Sequence, residues 1–242
     1  MKKILLLTIL LSTQIFVFSQ ETLVHDDVAG DTIIPKRGQN LKKYSYFYYN
    51  VGWFQGTSEG YGADIKYGNS FNTSFGFRYK HKLAKFYSIG YDFNYTYALY
   101  SIKQDSLKIF PTPDIHKREN LIYNNLGFEL YNRFSFGKRG NYIKYYFDFG
   151  VYGTYGISNY IKQVDKYDTP NANNATKTKI KQQNLTFIYP YNYGIRARIG
   201  YNKFALTATY RLSNLFKDNY KGVVYYYPEL PRYSVGFEIG FF

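Results

Sequence analysis

The sequence predicts an all-β fold, an eight-stranded antiparallel up-and-down transmembrane β-barrel, and three observations carry that prediction. Aromatic residues make up 22% of the 242 positions, with 31 Tyr and 21 Phe, and both types favour strands. Eight segments alternate apolar and polar residues with a period of two, the pattern of a strand with one apolar face. The connections between those segments are short and long in turn, as in an up-and-down barrel that crosses a membrane. A mean hydropathy of −0.42 does not oppose this, because only alternate residues of such a strand meet lipid.

The chain opens with MKKILLLTILLSTQIFVFSQ. Lys2 and Lys3 form a basic start, Ile4 to Leu11 an apolar stretch, and Val17 and Ser19 the small residues before Gln20. That layout predicts a secretory signal peptide over residues 1–19. Residues 20–43 mix Asp, Gly, Pro and Lys without periodicity and read as an extended N-terminal periplasmic segment. The barrel is assigned to residues 44–242, with strands at 44–56, 67–81, 85–101, 119–137, 141–159, 184–201, 203–214 and 231–242. Single-chain bacterial barrels have even strand numbers.

Short turns are predicted at HKLAK (81–85), GKRG (137–140) and YNKF (201–204). The long connections SIKQDSLKIFPTPDIHKRE, IKQVDKYDTPNANNATKTKIKQQ and LFKDNYKGVVYYYPELP are polar. Short periplasmic turns and long extracellular loops sort in this way in outer-membrane barrels, whereas Greek-key sandwiches do not sort their loops.

The facing of the strands follows from volume. On the third predicted strand Tyr87, Ile89, Tyr91, Phe93, Tyr95, Tyr97 and Leu99 share a face opposite Ser88, Gly90, Asp92, Asn94, Thr96 and Ala98. An eight-stranded barrel has an interior just wide enough for side chains, so the small and charged face belongs inside. The aromatic face then looks outward, where in water it would be a very large apolar patch, and it calls for lipid.

The last ten residues, YSVGFEIGFF, alternate in the same way up to Phe241. Phe237, Ile239, Phe241 and Phe242 resemble the C-terminal assembly signal of bacterial outer-membrane barrels. Residues 44–242 as a whole resemble, by pattern, the small eight-stranded outer-membrane β-barrel family, porin-like proteins of the Bacteroidota type included. The resemblance implies an outer-membrane location in a Gram-negative bacterium and insertion by the barrel assembly machinery.

Alternate placement puts Asp92, Glu129, Asp148 and Glu238 in the lumen with Arg78, Arg133, Lys144, Arg196, Arg198 and Arg211. A turn centred on Lys138 and Arg139 sets Glu129 opposite Asp148 and Arg133 opposite Lys144. Like charges opposite each other are destabilising, so partners are expected across the lumen, with Arg196 and Arg211 as the neutralising cations. Such ion pairs fill a narrow barrel as a charged plug. A small passive pore is the alternative, since neighbouring carboxylates also make a proton-responsive gate.

The remaining chemistry is sparse. With no cysteine there is no disulfide, thiolate metal site or Cys nucleophile, and no Walker loop, HExxH or EF-hand sequence is present. The expectation is no cofactor, no metal and no enzyme. An outer-membrane lipid-modifying enzyme would need His beside Ser and an acid. Of His25, His81 and His116, only His116, near Asp114 and Glu119, falls on the outer side. Without Lys2 and Lys3 the chain has 29 basic and 17 acidic residues, a net charge of +12. In an exported protein that charge points to anionic lipid or lipopolysaccharide rather than nucleic acid. Basic runs at 36–43 and from Lys166 to Lys181 are the candidate phosphate contacts. Asp31-Thr32-Ile33 and Asp105-Ser106-Leu107 resemble the O-glycosylation acceptor of Bacteroidota.

Overall fold

A computed structural model describes residues 38–139, 142–167, 169, 174–220, 223–224 and 227–241. The predicted leader, most of the segment 20–43, His25, Asp31-Thr32-Ile33 and Phe242 lie outside the described residues. The strands are β1 (Lys43–Gln55), β2 (Phe71–Lys82), β3 (Tyr87–Ile102), β4 (Arg118–Arg139), β5 (Tyr142–Lys166), β6 (Lys177–Gln183), β7 (Tyr191–Tyr201), β8 (Phe204–Arg211), β9 (Asn219–Tyr220), β10 (Val223–Val224) and β11 (Tyr233–Phe241). No helix occurs among the described residues.

Eight of these strands close into a ring, in the order β4-β3-β2-β1-β11-β8-β7-β5, with β5 returning to β4. All pairings are antiparallel, and the seam is β1 on β11, from Phe47↔Phe241 to Gln55↔Tyr233. β6 adds to the overhanging end of β5, from Tyr160↔Gln183 to Lys166↔Lys177. The sequence predicts a loop for that stretch, because its Lys-rich alternation carries no apolar face. β9 and β10 form a separate two-stranded ribbon.

The boundaries differ where local chemistry competes with pattern. The strand predicted from 184 joins the ring only at Tyr191, after Pro190, which has no N–H for a ladder. Leu185, Phe187 and Ile188 fold instead into an apolar cluster. The β4–β5 hairpin pairs as far as Arg139↔Tyr142, so its turn lies beyond the predicted one. The register is therefore shifted by four residues, which preserves every side chain's face but changes its neighbour. Farther up, Asn124 pairs Ser158 while Asn125 pairs Gly156, leaving Ile157 as a bulge. Past it the inward residues of β5 switch from even to odd, so Ile161 and Gln163 are buried.

The ring's interior holds more aromatic residues than predicted. Tyr46, Tyr48, Tyr100, Tyr123, Tyr131 and Tyr146 are all buried, whereas side-chain volume alone predicts the aromatic residues outside. Glycines make the room. Tyr48 lies directly opposite Gly76, Tyr131 opposite Gly90, and Tyr146 and Tyr152 opposite Gly200 and Gly194. A Cβ on Gly200 would sit 2.0 Å from the Tyr146 ring, and one on Gly76 2.7 Å from the Tyr48 ring. Each ring therefore lies flat over a residue without a side chain, a recognised way of covering strand glycines with aromatics.

Outward positions show the opposite chemistry. Phe47, Trp53, Phe75, Phe93, Leu130, Phe149, Ile199, Leu206 and Phe241 are among the large apolar side chains left exposed. From Tyr87 to Leu99 on β3 no outward residue is charged, and on β1 the outward positions from Ser45 to Trp53 are likewise uncharged, with Lys43 below them.

The long connections are packed together. Residues from the segments after β1, β3, β6 and β8 build one apolar cluster with the upper barrel wall, including Ala63, Ile65, Phe110, Ile188, Leu215, Phe216 and Leu230. Phe110 is its centre, with ring centroids 4.6 Å from Phe216 and 5.1 Å from Tyr227. These segments form a cap over the long-loop end, and the apolar residues inside them were the available sequence signal for it.

Candidate functional site, the charged lumen

Alternation on the ring strands directs the even residues of β2, β3, β7 and β11 and the odd residues of β4 to one interior layer. Arg78, Asp92, Glu129, Arg133, Asp148 and Arg198 there are no more than 1% exposed. Arg133 stands opposite Asp148 in register and donates to it through Nε at 2.7 Å and Nη2 at 2.8 Å. Asp148 is also opposite Arg198, whose Nε donates to it at 3.1 Å. Arg198 extends farther to Glu129, at 2.6 and 2.9 Å, and Arg196 adds a 2.9 Å bond to the same carboxylate.

Around the ring, Arg78 is opposite Asp92 and donates to it at 3.0 Å. The same guanidinium reaches over β1 to both oxygens of Glu238, through a short bond from Nη1 and one of 3.0 Å from Nη2. Tyr46 joins the two halves by accepting from Arg78 at 2.9 Å and from Arg133 at 3.0 Å. Tyr48 donates to Asp92 at 2.8 Å and stacks under Arg78, 4.1 Å from its guanidinium carbon. Four arginines thus meet four carboxylates, and the layer carries no net charge. Burial of so many ions is tolerable only because nearly every donor and acceptor has a partner.

Four predicted details are corrected. Glu129 faces Tyr152, and Arg133 faces Asp148, so the four-residue register shift separates the like charges that the shorter turn would have opposed. Partners come from adjacent or next-but-one strands, not from across the lumen. Lys144 is exposed, because the alternation breaks opposite Gly137, whose φ of 68° is the left-handed conformation glycine tolerates. Arg211 does not serve Asp92, Glu129 or Asp148. It donates to Glu229 at 2.5 Å and to the Leu230 carbonyl at 3.0 Å, and so ties the cap to β8.

The layer is flanked on both sides. At the short-turn end Lys80, fully buried, makes a short hydrogen bond to the Gln39 carbonyl, and Gln39 donates to the Asn202 carbonyl at 2.9 Å. Sequence reading omitted Lys80, although it shares the parity of Arg78. Toward the cap lies a polar cavity of about 90 Å³ to which all eight ring strands contribute, Asn50, Asn125, Asn192, Arg196 and Thr207 among them. Asn125 Oδ1 is buried there without a protein partner. Above it Arg232 grips Glu59 at 2.6 and 2.9 Å and also donates to the Leu212 and Ser213 carbonyls. The Arg232 hydrogen bond holds the Glu59 carboxyl below its ordinary pKa.

His116 accompanies Asp165, at 2.9 Å from Nδ1, rather than Asp114 or Glu119. Its Nε2 is buried without a hydrogen-bond partner, so among the described residues the geometry is a dyad with no hydroxyl bonded to it. Among the described residues no group of three or more His, Asp or Glu is arranged to hold a metal ion. The lumen's chemistry is mutual neutralisation. No protein-family model matches this chain, and no curated protein matches it either.

Proposed function

We propose that the protein is an integral outer-membrane β-barrel with a closed lumen and a structural or surface-binding role, a relative of the small eight-stranded outer-membrane barrels. One observation carries this reading, the inversion of polarity across the wall. Ionised side chains are paired inside the ring, while large apolar side chains are exposed outside it. Soluble monomers rarely expose contiguous apolar patches beyond a few hundred Å², whereas lipid solvates such a face.

The layout of the exterior supports the reading. Aromatic pairs flank the belt at both ends, Tyr87–Phe134 and Tyr145–Tyr201 near the short turns, and Phe71–Tyr97 and Tyr155–Tyr191 toward the cap. The ten steps from Tyr87 to Tyr97, at about 3.3 Å each and tilted by about 40°, span roughly 25 Å, the height of the apolar band in such barrels. The short-turn end would face the periplasm and the cap the exterior.

Cell fractionation tests the location, and planar-bilayer recording tests the closure. The protein should partition with outer membranes, migrate on gels in a heat-modifiable manner and carry no steady current. Recovery as a soluble monomer would refute the membrane reading, and stepwise conductance would replace the closed barrel by a passive pore.

A further inference from the structure

The overhang of β4, β5 and β6 presents a single sign of charge on one face. Pairing places Lys162 opposite Lys181 and Lys166 opposite Lys177, with Lys179 opposite Val164, and Arg118 is opposite Val164 on the other side. Directly paired residues of antiparallel strands project to the same face, so Arg118, Lys162, Lys166, Lys177, Lys179 and Lys181 stand together. All six are exposed. Among the described residues none of them belongs to a salt bridge, and the face holds no acidic residue at its paired positions.

Like charges placed directly opposite destabilise a strand pair, and this sheet does so twice, on either side of the Val164–Lys179 pair. The acids Glu119 and Asp165 go to the other face. Glu119, Ile161 and Gln163 are buried there, with Gln163 donating to Glu119 at 2.7 Å. The cationic face is thus sorted by the strand period rather than scattered along a loop. The charge of Lys179 first, then desolvation and the charges of Lys166, Arg118 and Lys162, hold the Lys177 ammonium below its ordinary pKa.

Its position identifies the counterpart. Ile122 pairs Tyr160 in the row below Asn120 and Lys162, and Lys181 sits 4.2 Å from the Tyr160 ring. The cations begin one row above the last outward aromatic, on the same wall as the apolar belt and facing sideways along it. We infer that this face binds the phosphate groups of lipids packed against the barrel in the outer leaflet. The inference rests on the membrane reading, and it commits the overhang to a phosphorylated headgroup anchored beside the wall. Free phosphate shares the chemistry but lacks the apolar tail that the adjoining belt would hold.

The test uses full-length detergent-purified protein reconstituted into nanodiscs of phosphatidylcholine with a small fraction of diphosphorylated lipid A, scored by lipid retained per barrel. Lipid A should be enriched around the wild-type protein. The K162Q/K177Q/K179Q variant should lose roughly a hundredfold in affinity at low salt, at about fivefold per cation. High salt should weaken wild-type binding and leave the variant little changed. Dephosphorylated lipid A binding equally well would overturn the inference, as would inorganic phosphate at millimolar concentration displacing all of the lipid. Failure of the barrel to enter nanodiscs at all would instead refute the membrane reading. Unaltered heat-modifiable migration of the variant separates loss of the face from loss of the fold.

Discussion

Arg198 reaches past β5 to place two guanidinium nitrogens on Glu129, at 2.6 and 2.9 Å, while its Nε remains on Asp148 at 3.1 Å. One side chain therefore joins β7, β5 and β4. In R198M, Glu129 retains only Arg196 and Asp148 only Arg133, leaving excess negative charge in a buried layer. Breaking such a network costs about 3–5 kcal/mol, so the urea midpoint in detergent should fall clearly. E129Q in the same chain should recover part of the loss, a non-additivity readable in a double-mutant cycle. The exposed Lys117, which is in no ion pair among the described residues, should be replaceable by Ala with little effect.

Gly200 and Tyr146 test the packing that fills the rest of the interior. A Cβ at Gly200 would meet the Tyr146 ring at 2.0 Å, and a buried ring pinned by neighbours cannot yield that far. G200A should cost about 1–3 kcal/mol, the usual range for overpacking. G153A is the control, because nothing lies within 4 Å of the Cβ it would add, and its midpoint should stay within about 0.5 kcal/mol of the parent. Equal responses of the two variants would show that the interior is loosely packed.

These two sites show how far the sequence can be read. The two-residue period locates all eight ring strands and sorts Arg78, Asp92, Glu129, Arg133, Asp148 and Arg198 inward, because parity is a local property. Register is not local. A turn displaced by two residues shifts the register by four, which leaves parity intact yet exchanges the Glu129–Asp148 opposition for the Arg133–Asp148 pair. The inward tyrosines were hidden for a related reason. A large ring reads as an outward residue until its partner strand is known to offer Gly76, Gly90 or Gly200 at the same level. The cap was obscured by its composition, since Phe110, Phe216 and Leu230 are spaced irregularly among polar residues and share no period.

Phe110 provides a third test, directed at the cap. Its ring is fully buried and packs on Phe187, Phe216 and Tyr227. Truncation of a buried Phe to Ala costs about 3–5 kcal/mol, but the cap lies above the ring ladders. F110A should therefore open the long connections to added protease while the barrel persists as a resistant, heat-modifiable core. Global unfolding of F110A under the same conditions would mean that cap and barrel form one cooperative unit.

The Glu59–Arg232 clamp makes the cap sensitive to acid. Hydrogen bonds from Arg232 lower the Glu59 pKa against the opposing effect of desolvation, with the charges of Arg232 and Arg211 adding to the lowering. A carboxyl whose folded pKa is depressed contributes stability that is fully present above its unfolded value, about 4.3. That contribution is lost as pH falls through the lower, folded pKa. Protease protection of the cap should accordingly hold from neutral pH to about pH 5 and decline below about pH 4. The Glu59 side chain is 58% exposed, so solvent screening limits the effect to at most about 1 kcal/mol. In E59Q the neutral amide keeps the shape and loses the charge. Its cap should be less protected than wild type at pH 7, and its decline below pH 4 should be shallower. High salt should reduce the wild-type advantage at pH 7, because a clamp this exposed is screened. An E59Q profile parallel to wild type across the whole range would assign the acid response to other carboxylates and leave Arg232 as a purely geometric tie to the Leu212 and Ser213 carbonyls.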